Sequence, residues 1–250
     1  MIYTKENLKS NLISAGFKPQ DIVLIHSSMK SIGEVENGAD GVLDALCEYF
    51  GETGLLIFPT LSYNIYGTED MTFSPKDTPS VVGLLSEMFR KRPNVIRSMH
   101  PTHSVAALGK KAQDFCSNHE NDNTPCSRKS PWGKLYDYNA KILFIGVKSI
   151  SCCTYFHGVE EWMDVPESLS TQTYMLKIKD DLGGIKTLPS YRHINHHNNY
   201  YAKPTAILEK NNALEYVKFG DADCILLDAK KAADIVIDLL KEDINYFTKD

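Results

Sequence analysis

Thr154, His157 and Glu160 stand three residues apart in turn, and this is the stretch of the 250-residue chain best suited to proton transfer. Imidazole titrates near neutral pH, so a histidine beside an amine is a natural general base. Residues three and four apart share a helix face, which sets His157 against Glu160 or Glu161. A core histidine that only satisfies a hydrogen bond would show the same pattern, so the surrounding elements must decide between them. Cys152 and Cys153 lie close by, but no spacing marks either as an activated thiol, and both read as small buried fillers.

The elements that would position these groups are legible from the apolar pattern. Ile142 to Ile145 forms a buried strand that Gly146 breaks into a Ser- and Cys-rich loop, and a helix follows whose first turn Thr154 can cap. Loops past the carboxyl ends of sheet strands are where α/β proteins place their chemistry. A second strand, Asp21 to Ile25, runs into His26-Ser-Ser-Met-Lys-Ser-Ile-Gly33. Hydroxyls and backbone N–H groups at such a strand end can hold a phosphate or an amide-bearing ligand, a plain polar turn being the alternative.

Around these two units the chain alternates helix and strand. Thr4 and Asn7 form a capping box ahead of a helix with Leu8, Leu12 and Ile13 on its apolar face. Residues 41–50 form a helix and 55–58 a strand. Ser80 caps a helix over Val81 to Lys91 with Leu84, Leu85, Met88 and Phe89 inward. A strand follows the loop at His100 to His103, Pro131 opens a short helix, and a strand at 224–227 precedes a helix over 229–240.

At 250 residues and 42% hydrophobic, the chain suits one α/β domain over 1–250 with an insertion. A net charge of -5 with no basic arm argues against nucleic acid as a partner. No apolar run reaches membrane-span length and the start lacks a signal peptide's apolar centre, so a cytoplasmic protein without membrane association is expected. The six cysteines lack CxxC spacing and His100 with His103 lacks a third ligand, so no metal is expected. Leu182 to Lys203 contains no acidic side chain and carries Lys186, Arg192, His193, His196 and His197. A solvated loop explains it plainly, and a place to meet an anion is the sharper reading.

Several stretches together resemble the aminoglycoside 3-N-acetyltransferase family, the antibiotic N-acetyltransferase fold. They are the His26 to Gly33 loop with Gly38-Ala39, Phe58-Pro59-Thr60, Asp77 to Ser80, Arg97-Ser98-Met-His100-Pro101 with Ser104, Ser130 to Leu135, Ile145-Gly146-Val147, and Thr154-Tyr-Phe-His157 followed by Glu160. They cover roughly the first two thirds of the chain, in order. The resemblance implies a mixed central sheet flanked by helices, unrelated to GNAT acetyltransferases, and transfer of an acyl group from acyl-CoA to an amine without a metal. It implies that His26, Ser27, Ser28, Lys30 and Ser31 hold the pantetheine arm and phosphates, that Arg97, Ser98 and Ser104 complete the cofactor side, and that His157 is the base. Three departures stand out. Cys153 precedes Thr154 where the family shows Asn-Thr, Ser74 replaces an aspartate, and no carboxylate lies at Tyr200 to Pro204, which leaves the group that orients His157 open.

On this basis Glu160 is expected to hold the His157 ring and Thr154 to help stabilise the oxyanion. The acceptor is expected to meet Tyr63, Lys186, Arg192 and His196 in a variable insertion around 160–205. A nucleotide-linked amino sugar is preferred over an aminoglycoside because of the acid-free stretch. A non-catalytic CoA-binding protein is the other class. The length of the acyl chain stays open, as do monomer and homo-oligomer.

Overall fold

The computed structural model describes residues 1–194 and 197–248. The chain enters through α1 (Lys5–Ser14), where Thr4 and Asn7 make the reciprocal capping box. Leu8 and Leu12 are buried, but Ile13 faces solvent at 62% exposure because the helical turn carries it past the inner face. Then follow β1 (Ile22–Ser27), α2 (Gly38–Phe50), β2 (Leu55–Pro59), β3 (Thr72–Phe73), α3 (Leu84–Phe89), β4 (Ile96–Arg97), β5 (Val105–Leu108), α4 (Ala112–Cys116) and α5 (Pro131–Asp137). The second half holds β6 (Lys141–Ile145), α6 (Thr154–Trp162), β7 (Tyr174–Lys179), β8 (Ile185–Ser190), α7 (Thr205–Lys210), β9 (Leu214–Phe219), β10 (Ala222–Asp228) and α8 (Ala229–Glu242).

Seven strands form one mixed sheet in the order β4-β5-β2-β1-β6-β10-β9. β2, β1 and β6 run parallel at its centre, with antiparallel pairs on both sides. Alternation along the central strands feeds two cores. Leu24, Ile142 and Phe144 pack with α5, α6 and α8, whereas Val23, Ile25, Leu143 and Ile145 pack with α1, α2 and α3. The connection through α2 places β2 on one side of β1, and the chain returns to lay β6 on the other. Strand order therefore reverses at β1, and a crevice opens past the carboxyl ends of β1 and β6, the usual ligand position in open α/β sheets.

Gly146 makes that crevice tight. Its φ is +64°, and a Cβ there would lie 2.2 Å from Cβ of Ser31, so only glycine lets the β6 exit pass the serine loop. The loop is tied down by Ser28 N–H donating to the Ile145 carbonyl at 2.8 Å.

Two expectations need correction. Ser80 does not cap a helix: α3 starts after Gly83, and Ser80 N–H donates instead to Glu87 Oε2 at 2.7 Å. Leu84 is consequently 55% exposed, and Leu85, Ser86 and Phe89 face inward. The insertion contributes two strands that the sequence reading lacked, β7 and β8, which join β3 in a small sheet packed on Ile65, Phe73, Ile178 and Leu188. Among the described residues, no helix is long and apolar enough to cross a membrane.

Candidate active site

Thr154 and His157 lie one turn apart at the start of α6 and face the crevice. Two cavities meet there. The first, about 300 Å³, is bounded by His26 and Ser27 from β1, Val147 after β6, and Cys152. The second, about 570 Å³, is bounded by Tyr66, His103, Arg192 and His193. Tyr63, Thr154, His157 and Asn198 line both, so His157 stands on the shared wall between two ligand-sized spaces.

Behind His157 is a buried polar cluster. Its Nδ1 lies 2.6 Å from the Tyr201 hydroxyl and 3.6 Å from Glu160 Oε2. Tyr201 also donates a hydrogen bond to Glu160 Oε2, and His197 Nδ1 holds Glu160 Oε1 at 2.7 Å. Burial alone would push the Glu160 carboxyl up, but the adjacent His157 ring and the hydrogen bonds from His197 and Tyr201 outweigh it and hold the group at about 2. Glu160 is therefore an anion at neutral pH, 1% exposed.

The neighbouring carboxyl behaves in the opposite way. Burial pushes Glu161 up to about 8, and its Oε1 lies 2.7 Å from His193 Nε2 and accepts the Cys126 N–H at 2.8 Å. Cys126, Glu161 and His193 each bring one ligand-type atom within 4.8 Å of the others. Glu161 links the trio, bonded to His193 and to the Cys126 backbone N–H, and burial raises the Cys126 thiol well above its ordinary value.

His26 stacks on Phe144 with centroids 4.9 Å apart, and burial lowers it to about 4, so it meets the first cavity as a neutral ring. Ser27 lies beside it, while Ser31 Oγ bonds to Ser28 Oγ and the Gly146 carbonyl next to an adjoining hollow of about 270 Å³. Lys30 is exposed on the same loop. Arg97, Ser98 and Ser104 line neither of these two cavities. Arg97 spends its donors on Thr60, Ser104 and the carbonyls of Pro75 and Thr78, and burial lowers it to about 9. Ser98 bonds to His119 Nδ1 at 2.8 Å and Ser104 to the Thr60 carbonyl at 2.8 Å. These three brace the wall from behind.

Of the acceptor residues, Tyr63 and Arg192 line the cleft. Arg192 lies over the rings of Tyr66 and Tyr174, and its Nε is buried without a partner among the described residues. Lys186 is on β8 and turns to Asn121 Oδ1 at 2.6 Å, away from the cavities, because the acid-free stretch is split between the small sheet and the segment that returns to the cleft. His196 lies outside the described residues. The sequence reading missed Tyr201, His193 and His103 as site residues, although the density of His and Tyr between 191 and 201 was the available signal.

A family model described as aminoglycoside 3-N-acetyltransferase matches residues 24–241. The SPbeta prophage-derived aminoglycoside N(3')-acetyltransferase-like protein YokD of Bacillus subtilis is 25% identical, over 92% of this chain and 90% of its own. Aminoglycoside acetyltransferase AAC(3)-IVa, solved as a mutant in complex with a gentamicin, is 25% identical with a TM-score of 0.85, covering 99% of this chain and 92% of that one. AAC-IIIb, solved with CoASH, shares the fold at 20% identity and a TM-score of 0.84, over 97% of each chain.

Proposed function

The chain belongs to the aminoglycoside 3-N-acetyltransferase family, and from that membership we propose that it transfers an acetyl group from acetyl-CoA to an amine of an aminoglycoside, with His157 as general base. The observation that carries this reading is the position of His157 on the wall shared by two cavities, backed by an ionised, buried Glu160. The whole chain acts as one acyltransferase unit, with residues 160–205 supplying much of the acceptor side.

A protonated amine has no lone pair to attack with, so His157 first takes one proton, and the lone pair thus freed bonds to the thioester carbon. Thr154 donates to the oxyanion, the C–S bond breaks, and the second proton shed by the nitrogen goes to the sulfur, so that CoA leaves as the thiol and His157 returns its own proton to solvent. Glu160 offsets the positive charge that His157 gains. His26, Ser27, Ser28, Lys30 and Ser31 hold the cofactor arm, and Arg97, Ser98 and Ser104 keep the wall in shape.

A second reading, an amino sugar that carries a phosphate, rests on one feature. Among the described residues no carboxylate lines either cavity, while Arg192 does. The comparisons favour the aminoglycoside and lend this alternative no support. A thiol-release assay with acetyl-CoA and a panel of aminoglycosides and nucleotide-linked amino sugars tests both. Turnover of aminoglycosides is the expected result, turnover of nucleotide sugars alone would transfer the reading to the second class, and CoA binding without turnover on any amine would leave a binding protein.

A further inference from the structure

The hydroxyl of Tyr201 sits between Nδ1 of His157 and Oε2 of Glu160, 44 residues downstream of the histidine, and its side chain is fully buried. We propose that Tyr201 is a positioning residue that fixes the tautomer of His157, leaving Nε2 as the lone pair offered to the acceptor. The inference rests on the base role proposed for His157.

The proton count leads to one arrangement. Glu160 is ionised, so it can only accept, and its other oxygen is held by His197. Burial, then the Glu160 charge, raise the Tyr201 phenol well above its ordinary value, so the phenol keeps its proton and directs it to Glu160. Its oxygen is then free only as an acceptor, and the group 2.6 Å away that can donate is His157 Nδ1–H. A neutral imidazole with hydrogen on Nδ1 has its lone pair on Nε2. Nε2 has no protein partner among the described residues, on a side chain that lines both cavities. At 3.6 Å, Glu160 cannot set the tautomer directly and acts on the ring through the phenol.

The test compares wild type with Tyr201→Phe, using ¹⁵N-histidine labelling and long-range ¹H–¹⁵N spectra, with His157→Gln to assign the signal. Wild type should show His157 protonated at Nδ1 with a bare Nε2. The variant should show a mixture of tautomers and a kcat lower by about ten- to hundred-fold, with KM for acetyl-CoA unchanged. Bare Nδ1 in the wild type would overturn the proposal, as would a variant that keeps both the tautomer and kcat. The wild-type spectrum decides even if the variant does not fold. Because the tautomer is read without substrate, failure of the proposed reaction is seen separately as absence of turnover in the wild type.

Discussion

The imidazole of His193 lies flat against that of His157, with centroids 4.2 Å apart and planes 13° from parallel. Two unit charges at such a distance repel by about 4 kcal/mol at an effective dielectric of about 20, so a charged His193 would oppose a positive charge on the facing ring. Burial first, and the facing His157 second, hold His193 well below its ordinary value. His193→Phe keeps a flat ring there and should retain turnover within about an order of magnitude, whereas His193→Arg sets a permanent cation against the base and should lower kcat by at least about a hundredfold. Steady-state rates on folded variants check this, and equal rates would remove the need for a neutral neighbour.

Removal of the base gives the direct measurement. His157→Ala and His157→Asn should lower turnover by about a hundred- to ten-thousand-fold while calorimetry finds acetyl-CoA affinity nearly unchanged. Near-normal rates in both would end the assignment.

Arg97 separates bracing from binding. Its internal bonds to Thr60, Ser104, Pro75 and Thr78 imply that Arg97→Met leaves several buried acceptors unpaired, at about 1 to 3 kcal/mol of stability for each that stays unsatisfied. Denaturant titration should show that loss, while KM for acetyl-CoA at low temperature stays close to wild type. A large rise in KM in a well-folded variant would return Arg97 to the cofactor.

Glu161 predicts a slope of stability with pH. Its folded value, about 8, lies above the ordinary 4.5, so the fold favours the protonated carboxyl. The stabilisation is complete below about 4.5 and is lost as pH rises through about 8. His193, being lowered, works in the opposite sense below 6.5. Glu161→Gln should therefore melt closer to, or above, wild type on the alkaline side of about 8, having lost the titrating group. Parallel melting profiles for the two proteins across this range would contradict the assignment.

Arg192 bears on the acceptor. With an aminoglycoside, a cation beside Tyr66 and Tyr174 is unhelpful, and Arg192→Ala should leave the acceptor KM unchanged or lower it. With a phosphate-bearing amino sugar the same change should raise that KM, less so in added salt, since charges are screened over about 8 Å at physiological ionic strength. Acceptor titrations of the variant distinguish the two.

The central strands were legible because β1, β2, β6 and β10 are buried apolar runs, and α2, α5 and α8 announce themselves by an inner face or a cap. β7 and β8 were not, since they are half exposed and carry polar or proline residues at outward positions. In the site, His157 and Glu160 are local to one helix and could be paired by spacing, whereas Tyr201 and His193 arrive from a segment 44 and 32 residues beyond their partners. Arg97 is expected on the cofactor side while its donors turn inward, because an arginine in a polar loop reads the same whether it meets a phosphate or a set of backbone and hydroxyl oxygens. Periodicity reports burial, not the identity of what lies across the gap.

The parallel ladder between β1 and β6 joins residues whose register runs from Val23 with Lys141 to Ser27 with Ile145. As the chain is synthesised, β1 can pair with β2 early, with only α2 between them, but its other edge stays unpaired until β6 has emerged. For that interval a largely apolar strand presents an open row of N–H and C=O groups, the condition under which strands recruit wrong partners. The crevice is thus also the last parallel seam of the sheet to close, ahead only of the antiparallel additions of β10 and β9, and slow delivery of residues 60–140 should lower the soluble yield by prolonging the exposure of β1.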